Sequence, residues 1–274
     1  VYVQEDLLKL QHWTEKWQLN FNTTKCKHLH IGKSEPGSFH LNGQEIHRVD
    51  KEKDLGITFQ NNLLFDQHIS EKVNKANRMF GVIRRTFHHL DIQMFLPLYK
   101  AMVRTHLDFC ASVYSPIHQR DKDRIESVQR RATKQLPGMH NLSYPERLNK
   151  LKLPTLTFRR TRSDMIELFK ITHHIYDEEL GNFVRLRRDE DIRSSTRHHN
   201  FTIYPQHCRT AIRKNAFINR ALTLWNSLPA TVVDAPSLNA FKNRLDKYWN
   251  NQEAVYNPQA SISPTAHATA TTEQ

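Results

Sequence analysis

The sequence predicts a mostly α-helical chain with a small α+β part at its N-terminus. Short strand and turn signals crowd residues 1–65, whereas apolar residues recur at helical spacing between about residues 66 and 249. Turn formers such as Ser115-Pro116 and Pro137-Gly138 separate the helical stretches.

In the first part, Leu7, Leu10, Trp13 and Trp17 lie at the spacing of one helix face, and Asn20-Phe21-Asn22 ends that helix. Lys25 to Ile31 reads as a strand stopping at Gly32. Pro36-Gly37 marks a turn, and Asn42-Gly43 between Ser38–Leu41 and Gln44–Ile46 is a hairpin signal. Asp54-Leu55-Gly56-Ile57-Thr58-Phe59 reads as one further short strand with a glycine inside it.

From residue 66 the period becomes helical. Ile69, Val73, Ala76, Phe80, Ile83 and Phe87 share one face, with Lys72, Lys75, Arg78, Arg84 and Arg85 elsewhere. Asp91 is the N-cap candidate for a helix carrying Phe95, Leu98, Met102 and Val103, with Pro97 restricting its first turns. A third helix runs from about Asp121 to Leu136, with Ile125, Val128, Ala132 and Leu136 inward and Arg130, Arg131 and Lys134 outward. A fourth covers roughly 158–176.

Residues 177–210 are irregular, charged and His-rich. Two helices follow, near 212–227 and 236–249, with Pro236 suited to a first turn. Trp225, Phe241, Tyr248 and Trp249 fall at core spacing, as do Trp13 and Trp17. Residues 250–274 carry almost nothing to bury and read as a disordered tail. The expected divisions are therefore 1–65, 66–176, 177–249 and 250–274.

The charge is uneven in a way that bears on function. The chain has 274 residues and a net charge of +12. Residues 71–176 hold 20 Lys+Arg against 9 Asp+Glu, whereas residues 1–70 hold 8 against 9. Solubilising charge would spread along the chain, but a concentrated field of one sign draws polyanions, nucleic acid above all. No apolar run approaches the roughly 18 residues of a membrane span. The N-terminus has neither a basic nor an apolar leader region, so neither membrane nor secretion is expected. Three widely spaced cysteines, Cys26, Cys110 and Cys208, favour a reducing intracellular setting, nuclear or cytoplasmic. The absence of an initiating Met is expected of a fragment.

Several motifs, weak singly, fall together in an order with meaning. Asn20-Phe21-Asn22-Thr23-Thr24-Lys25-Cys26 follows the first helix, and Lys53-Asp54-Leu55-Gly56-Ile57 comes next. Later come Leu98-Tyr99-Lys100-Ala101-Met102-Val103-Arg104, Val128-Gln129-Arg130-Arg131-Ala132-Thr133-Lys134 and Arg159-Arg160-Thr161-Arg162-Ser163-Asp164. Trp225-Asn226-Ser227-Leu228-Pro229 and Phe241-Lys242-Asn243-Arg244-Leu245 close the series. Together they resemble the distal part of the reverse transcriptase of non-LTR (LINE-type, jockey/CR1-like) retrotransposons.

The resemblance implies the end of a polymerase palm (motifs D and E) at 1–65, a basic helical thumb at 66–176 and a C-terminal helical region at 177–249. It implies that Lys25 is the motif D lysine near the incoming nucleotide, a candidate proton donor to pyrophosphate. Leu55 and Gly56 would grip the primer backbone. Arg84, Arg85, Arg130, Arg131, Lys134, Arg159, Arg160 and Arg162 would hold phosphates of an RNA/DNA template–primer, because guanidinium groups pair bidentately with them. If ~6–10 phosphates were held, affinity would fall ~10³–10⁵-fold between 50 and 200 mM salt.

The implied partners are template–primer nucleic acid and the upstream palm and fingers of the same polymerase. In the family the paired aspartates of a Tyr-x-Asp-Asp hairpin bind the catalytic metal ions. This sequence has no Asp-Asp dipeptide, so no cofactor is expected on this stretch, Mg²⁺ belongs to the complete polymerase, and the chain alone is expected to be inactive. A nucleic-acid-binding module or a helical protein-interaction domain without a polymerase role is the alternative.

Other patterns are weaker. Cys26, His28 and His30 place three possible zinc ligands on one strand face, and His198-His199 with His207-Cys208 forms a looser cluster, but neither has a full ligand set. Gly32-Lys33-Ser34 lacks the earlier glycine of a P-loop, and Asp189-Glu190-Asp191 reads as a solvated loop.

Overall fold

The computed structural model describes residues 2–32, 37–87, 89–176, 184–187 and 199–264. The backbone packs as two units, residues 1–68 and 69–274. Among the described residues helices dominate, with strands confined to short pairs near the N-terminus. The motifs Gly32-Lys33-Ser34, Asp189-Glu190-Asp191 and His198-His199 involve residues outside those described.

In the first unit, helix α1 (Tyr2–Lys16) precedes a 3₁₀ turn at Thr23–Lys25 and six short strands. Strand β1 (Lys27–Leu29) pairs in parallel with β4 (His47–Val49), with Lys27 opposite His47. Strands β2 (His40–Leu41) and β3 (Gln44–Glu45) form the hairpin expected at Asn42-Gly43, whose φ angles of +52° and +72° suit those two residue types. Strands β5 (Lys51–Asp54) and β6 (Ile57–Gln60) form a second hairpin, Asp54 opposite Ile57. The single strand expected across Asp54–Phe59 is therefore corrected. Leu55 and Gly56, at φ +45° and +83°, reverse the chain between two strands.

Helix α1 departs further from expectation. Its only buried residue is Thr14, and Trp13 and Trp17 are 53% and 60% exposed, not core. It docks through polar side chains. Gln4 donates to the carbonyl of His40 and accepts from its amide, both at 2.9 Å, and Gln11 accepts from the Asn42 amide. A two-residue strand offers little apolar surface but leaves edge backbone groups to satisfy, so the amide face of α1 wins over its Leu/Trp face.

Helix α2 (Asp66–Thr86) carries the chain into the second unit, burying Ile69, Val73, Ala76, Phe80 and Ile83 as its period predicts. Asp91 caps α3 (Ile92–Leu98), its carboxylate accepting from the Met94 amide at 2.7 Å. Pro97 lies inside α3, which widens into a π-helical turn at Tyr99–Arg104 before α4 (Thr105–Asp108). Tyr99 and Val103 of that turn are fully buried.

Helix α5 (Gln119–Lys134) follows. Helix α6 (Tyr144–Leu151), not anticipated, starts at a capping box of Ser143 and Glu146. Helix α7 (Leu156–Thr172) begins at the N-cap Thr155 and lies among α4, α5 and the C-terminal helices.

The helix expected at 212–227 breaks at Ala216 into α8 (Ala211–Asn215) and α9 (Phe217–Asn226). Helices α10 (Ala230–Val233) and α11 (Leu238–Trp249) follow. Ser237 caps α11, which places Pro236 one residue before the cap. Trp225, Phe241, Leu245 and Trp249 pack on Met165, Leu168 and Phe169 of α7, so these aromatic residues are core as expected. Asn226 clamps Ile203 by accepting from its amide and donating to its carbonyl.

The tail expectation is corrected for residues 250–264. Ala254 and Val255 are buried, and the Thr155 amide and hydroxyl donate to the carbonyls of Val255 and Ala254. Gln252 brackets Ser263 with two further bonds. Tyr256 and Ile262 also pack against the core, and the start of α7 adds a polar anchor. Residues 265–274 lie outside those described.

Candidate nucleic-acid interface

Helices α2 and α5 run side by side in the same direction. The Arg124 guanidinium donates to the Ser70 hydroxyl and that of Arg131 to the Asn77 side-chain oxygen, both at 2.8 Å. Both partners advance by seven residues, two helical turns, so the seam keeps its register. One further step along α2 is Arg84. Helix α5 has no matching residue, because it ends at Lys134 and the chain turns away through Pro137 and Gly138.

Where the seam opens there is a cavity of about 500 Å³. Phe80, Arg84, Phe87 and His89 line it on one side, and Ala132, Gln135, Leu136 and His140 on the other.

Five of the eight expected phosphate-binding cations gather on these two helix ends. Arg84 and Arg85 lie in the last turn of α2, Arg131 and Lys134 in the last turn of α5, and Arg130 just before it. All five are exposed, and none forms an ion pair among the described residues. The Arg130 guanidinium rests 5.1 Å from the Tyr144 ring centre, which stiffens it without neutralising it. Two helix C-termini contribute about −0.5 charge each. Five cations exceed that several-fold, so the surface is strongly positive.

The remaining three face other groups. The Arg160 side chain is buried and donates to the carbonyls of Leu107 and Tyr114 and to the Tyr114 hydroxyl, at 2.9–3.1 Å. Arg159 binds the Asp108 carboxylate at 2.7 and 3.1 Å, and Arg162 binds Asp246 through two nitrogens. In this structure the donors of these three hold the second unit together. In the same network, Asp164 pairs with Arg220 at 2.8 Å, and burial pushes its carboxyl up despite that partner.

The inner side of α5 is polar as well. Glu126 accepts from the Tyr144 hydroxyl and the Leu156 amide, Gln129 accepts from Tyr99, and burial pushes the Glu126 carboxyl up from its ordinary value.

Lys25, Leu55 and Gly56 belong to the first unit. Lys25 is the exposed last residue of the 3₁₀ turn. Leu55 stands 88% exposed at the tip of the β5–β6 hairpin beside Gly56. The Cys26–His28–His30 pattern does not form a ligand set. The Cys26 thiol points to the Asn22 carbonyl, and the His28 ring packs on Phe39 with centroids 4.7 Å apart. Among the described residues no three His, Cys, Asp or Glu side chains converge as metal ligands. Glu126, Asp108 and Asp164 each face a protein donor.

The sequence reading missed Arg124 and the cavity. The seven-residue spacing of Ser70, Asn77 and Arg84, matched by Arg124 and Arg131, is the signal that could have found both.

Over 143 residues, half of this chain, the sequence is 27% identical to the RNA-directed DNA polymerase from mobile element jockey of Drosophila melanogaster. That similarity supports a reverse-transcriptase relationship. The match spans 15% of the fly protein's length. No protein-family model and no solved structure matches the chain. Among the described residues no helix is long and apolar enough to cross a membrane.

Proposed function

We propose that this chain is the C-terminal part of a retrotransposon RNA-directed DNA polymerase and that it holds template–primer nucleic acid on the ends of α2 and α5. The observation that carries the reading is the group of five exposed cations without ion-pair partners: Arg84, Arg85, Arg130, Arg131 and Lys134. Such a surface tracks a sugar–phosphate backbone and is indifferent to base sequence, as a sliding polymerase requires.

In this reading Leu55 and Gly56 form the primer contact. A leucine at positive φ costs about 1 kcal/mol and buries nothing here, which suits a hairpin tip kept for an outside partner. Lys25 lies toward the incoming nucleotide. The exposed α1 flank of Val3, Leu10, Trp13 and Trp17 is covered by the preceding palm, which also supplies the Mg²⁺ ligands and the chemistry. This polymerase works inside the cell, in nucleus or cytoplasm.

The same flank of α1 favours a second reading, a helical protein-interaction domain without a polymerase role.

A salt titration separates the two. Five phosphate contacts give a slope of log K against log[salt] of about −4.5, or roughly a 500-fold loss of affinity for an RNA–DNA hybrid between 50 and 200 mM salt. A chain that ignores the hybrid at low salt leaves only the second reading.

A further inference from the structure

We infer that the cavity at the ends of α2 and α5 receives an unpaired nucleobase of single-stranded nucleic acid, with the adjoining phosphate on Arg84. The inference rests on the template–primer reading and adds to it a second kind of contact.

Two features of the cavity point to a ring that carries an anion. Its apolar wall sets the rings of Phe80 and Phe87 among Leu90, Ala132, Leu136 and Pro137, and Arg84 lines the same space together with Asp91, whose carboxylate accepts from the Met94 amide. Phe80 is anchored from behind by an edge-on contact with Phe95, their centroids 6.4 Å apart, so that ring is fixed. Phe87 is only half-buried and follows the last turn of α2, its amide bonded to the Ile83 carbonyl. A phosphate alone would find cations enough on the exposed helix faces and would gain nothing from the aromatic wall. An aliphatic ligand would leave Arg84 unmatched. A base with its phosphate satisfies both.

The volume, about 500 Å³, lies inside the roughly 300–1,000 Å³ range of small-ligand sites. The site is also placed for a strand end. It opens where the parallel seam stops, one heptad step beyond the Asn77–Arg131 bond, among the cations that hold the backbone. His89, His140 and Gln135 supply polar groups at the same opening. Each can donate or accept, so they select weakly among bases, in keeping with the sequence tolerance of stacking.

The test compares a blunt RNA–DNA hybrid with the same hybrid bearing a single-stranded overhang that contains 2-aminopurine. The full chain should bind the overhang substrate roughly 5- to 100-fold more tightly than the blunt one, the scale of one base–aromatic stack, and should quench the fluorophore. Phe87→Ala should lose that preference and the quenching while binding the blunt hybrid as before. Phe87→Leu, which keeps apolar volume but no ring, should behave like Phe87→Ala and guards against a folding defect.

No preference and no quenching in the unaltered chain, or full preference in Phe87→Leu, would overturn the assignment with the template–primer reading intact. If the unaltered chain ignores the blunt hybrid, that reading fails on its own. The cavity is then decided by a single-stranded 2-aminopurine oligonucleotide, whose quenching, lost in Phe87→Leu, supports the assignment and whose lack of quenching refutes it.

Discussion

Helices α5 and α7 each carry an adjacent arginine pair with further cations close by, yet the structure uses them in opposite ways. On α5, Arg130, Arg131 and Lys134 stand exposed beside Arg84 and Arg85 of α2. On α7, Arg159, Arg160 and Arg162 face Asp108, buried carbonyls and Asp246. The difference follows from how many sides of each helix are covered. Helix α5 buries Ile125, Val128 and Ala132 on one side and turns the other to solvent. Helix α7 touches α4, α5, α9 and α11, so cations along it meet protein acceptors before they meet a ligand. Identical dipeptides thus become an open cationic surface or a scaffold according to packing.

The comparison can be broken most sharply on α7. Asp164→Ala leaves Arg220 without its buried counter-ion and should destabilise the chain by about 3–5 kcal/mol, read by urea denaturation. Loss of less than about 1 kcal/mol would mean that α7 is not the anchored helix described. Arg160→Met should cost about 2–4 kcal/mol, because the Leu107 and Tyr114 carbonyls lose their donor in a dry setting. Its hybrid affinity, measured where the variant is folded, should stay unchanged.

The inner side of α5 gives a smaller, pH-dependent effect. Burial raises Glu126 above its ordinary 4.5, against the pull of bonds from Tyr144 and the Leu156 amide. The folded chain therefore binds that proton more tightly than the unfolded one. Stability falls as pH rises from the ordinary value through the raised one. The advantage of the unaltered chain over Glu126→Gln should accordingly shrink as pH rises above the ordinary carboxylate value of 4.5 in paired denaturation curves. Taking the difference cancels the similar contribution of Asp164, and a difference that grew with pH would reverse the sign.

Much of the fold was legible because periodicity reports faces directly. The buried stripe from Ile69 to Ile83, the Asp91 cap and the Asn42-Gly43 hairpin lie where spacing and turn chemistry put them. Helix α6 was hidden because eight residues show too little periodicity, although Ser143 and Glu146 carry a capping signal. In α1 the period was right and the inference from it was not. Spacing marks an apolar face but does not say that anything covers it, and Trp13 and Trp17 stay in solvent.

The candidate interface was half legible for the same reason. Arg130 and Arg160 look alike in a one-dimensional string. Only the layers around them show that one is offered outward and the other is held by Leu107 and Tyr114. The Leu55-Gly56 turn escaped the strand reading because leucine seldom adopts positive φ.

The salt dependence of hybrid binding in two variants separates the outward-facing cations of α5 from the paired ones of α7 most directly. Replacing Arg130, Arg131 and Lys134 together by glutamine should reduce the slope of log K against log[salt] by about 2.7 and leave the denaturation midpoint nearly unchanged. Arg162→Gln, which breaks a half-exposed pair with Asp246 worth at most about 1 kcal/mol, should leave the slope as it was. A triple variant that keeps its full slope, or an Arg162→Gln chain that loses as much, would contradict the division between an outward-facing α5 and an inward-bound α7.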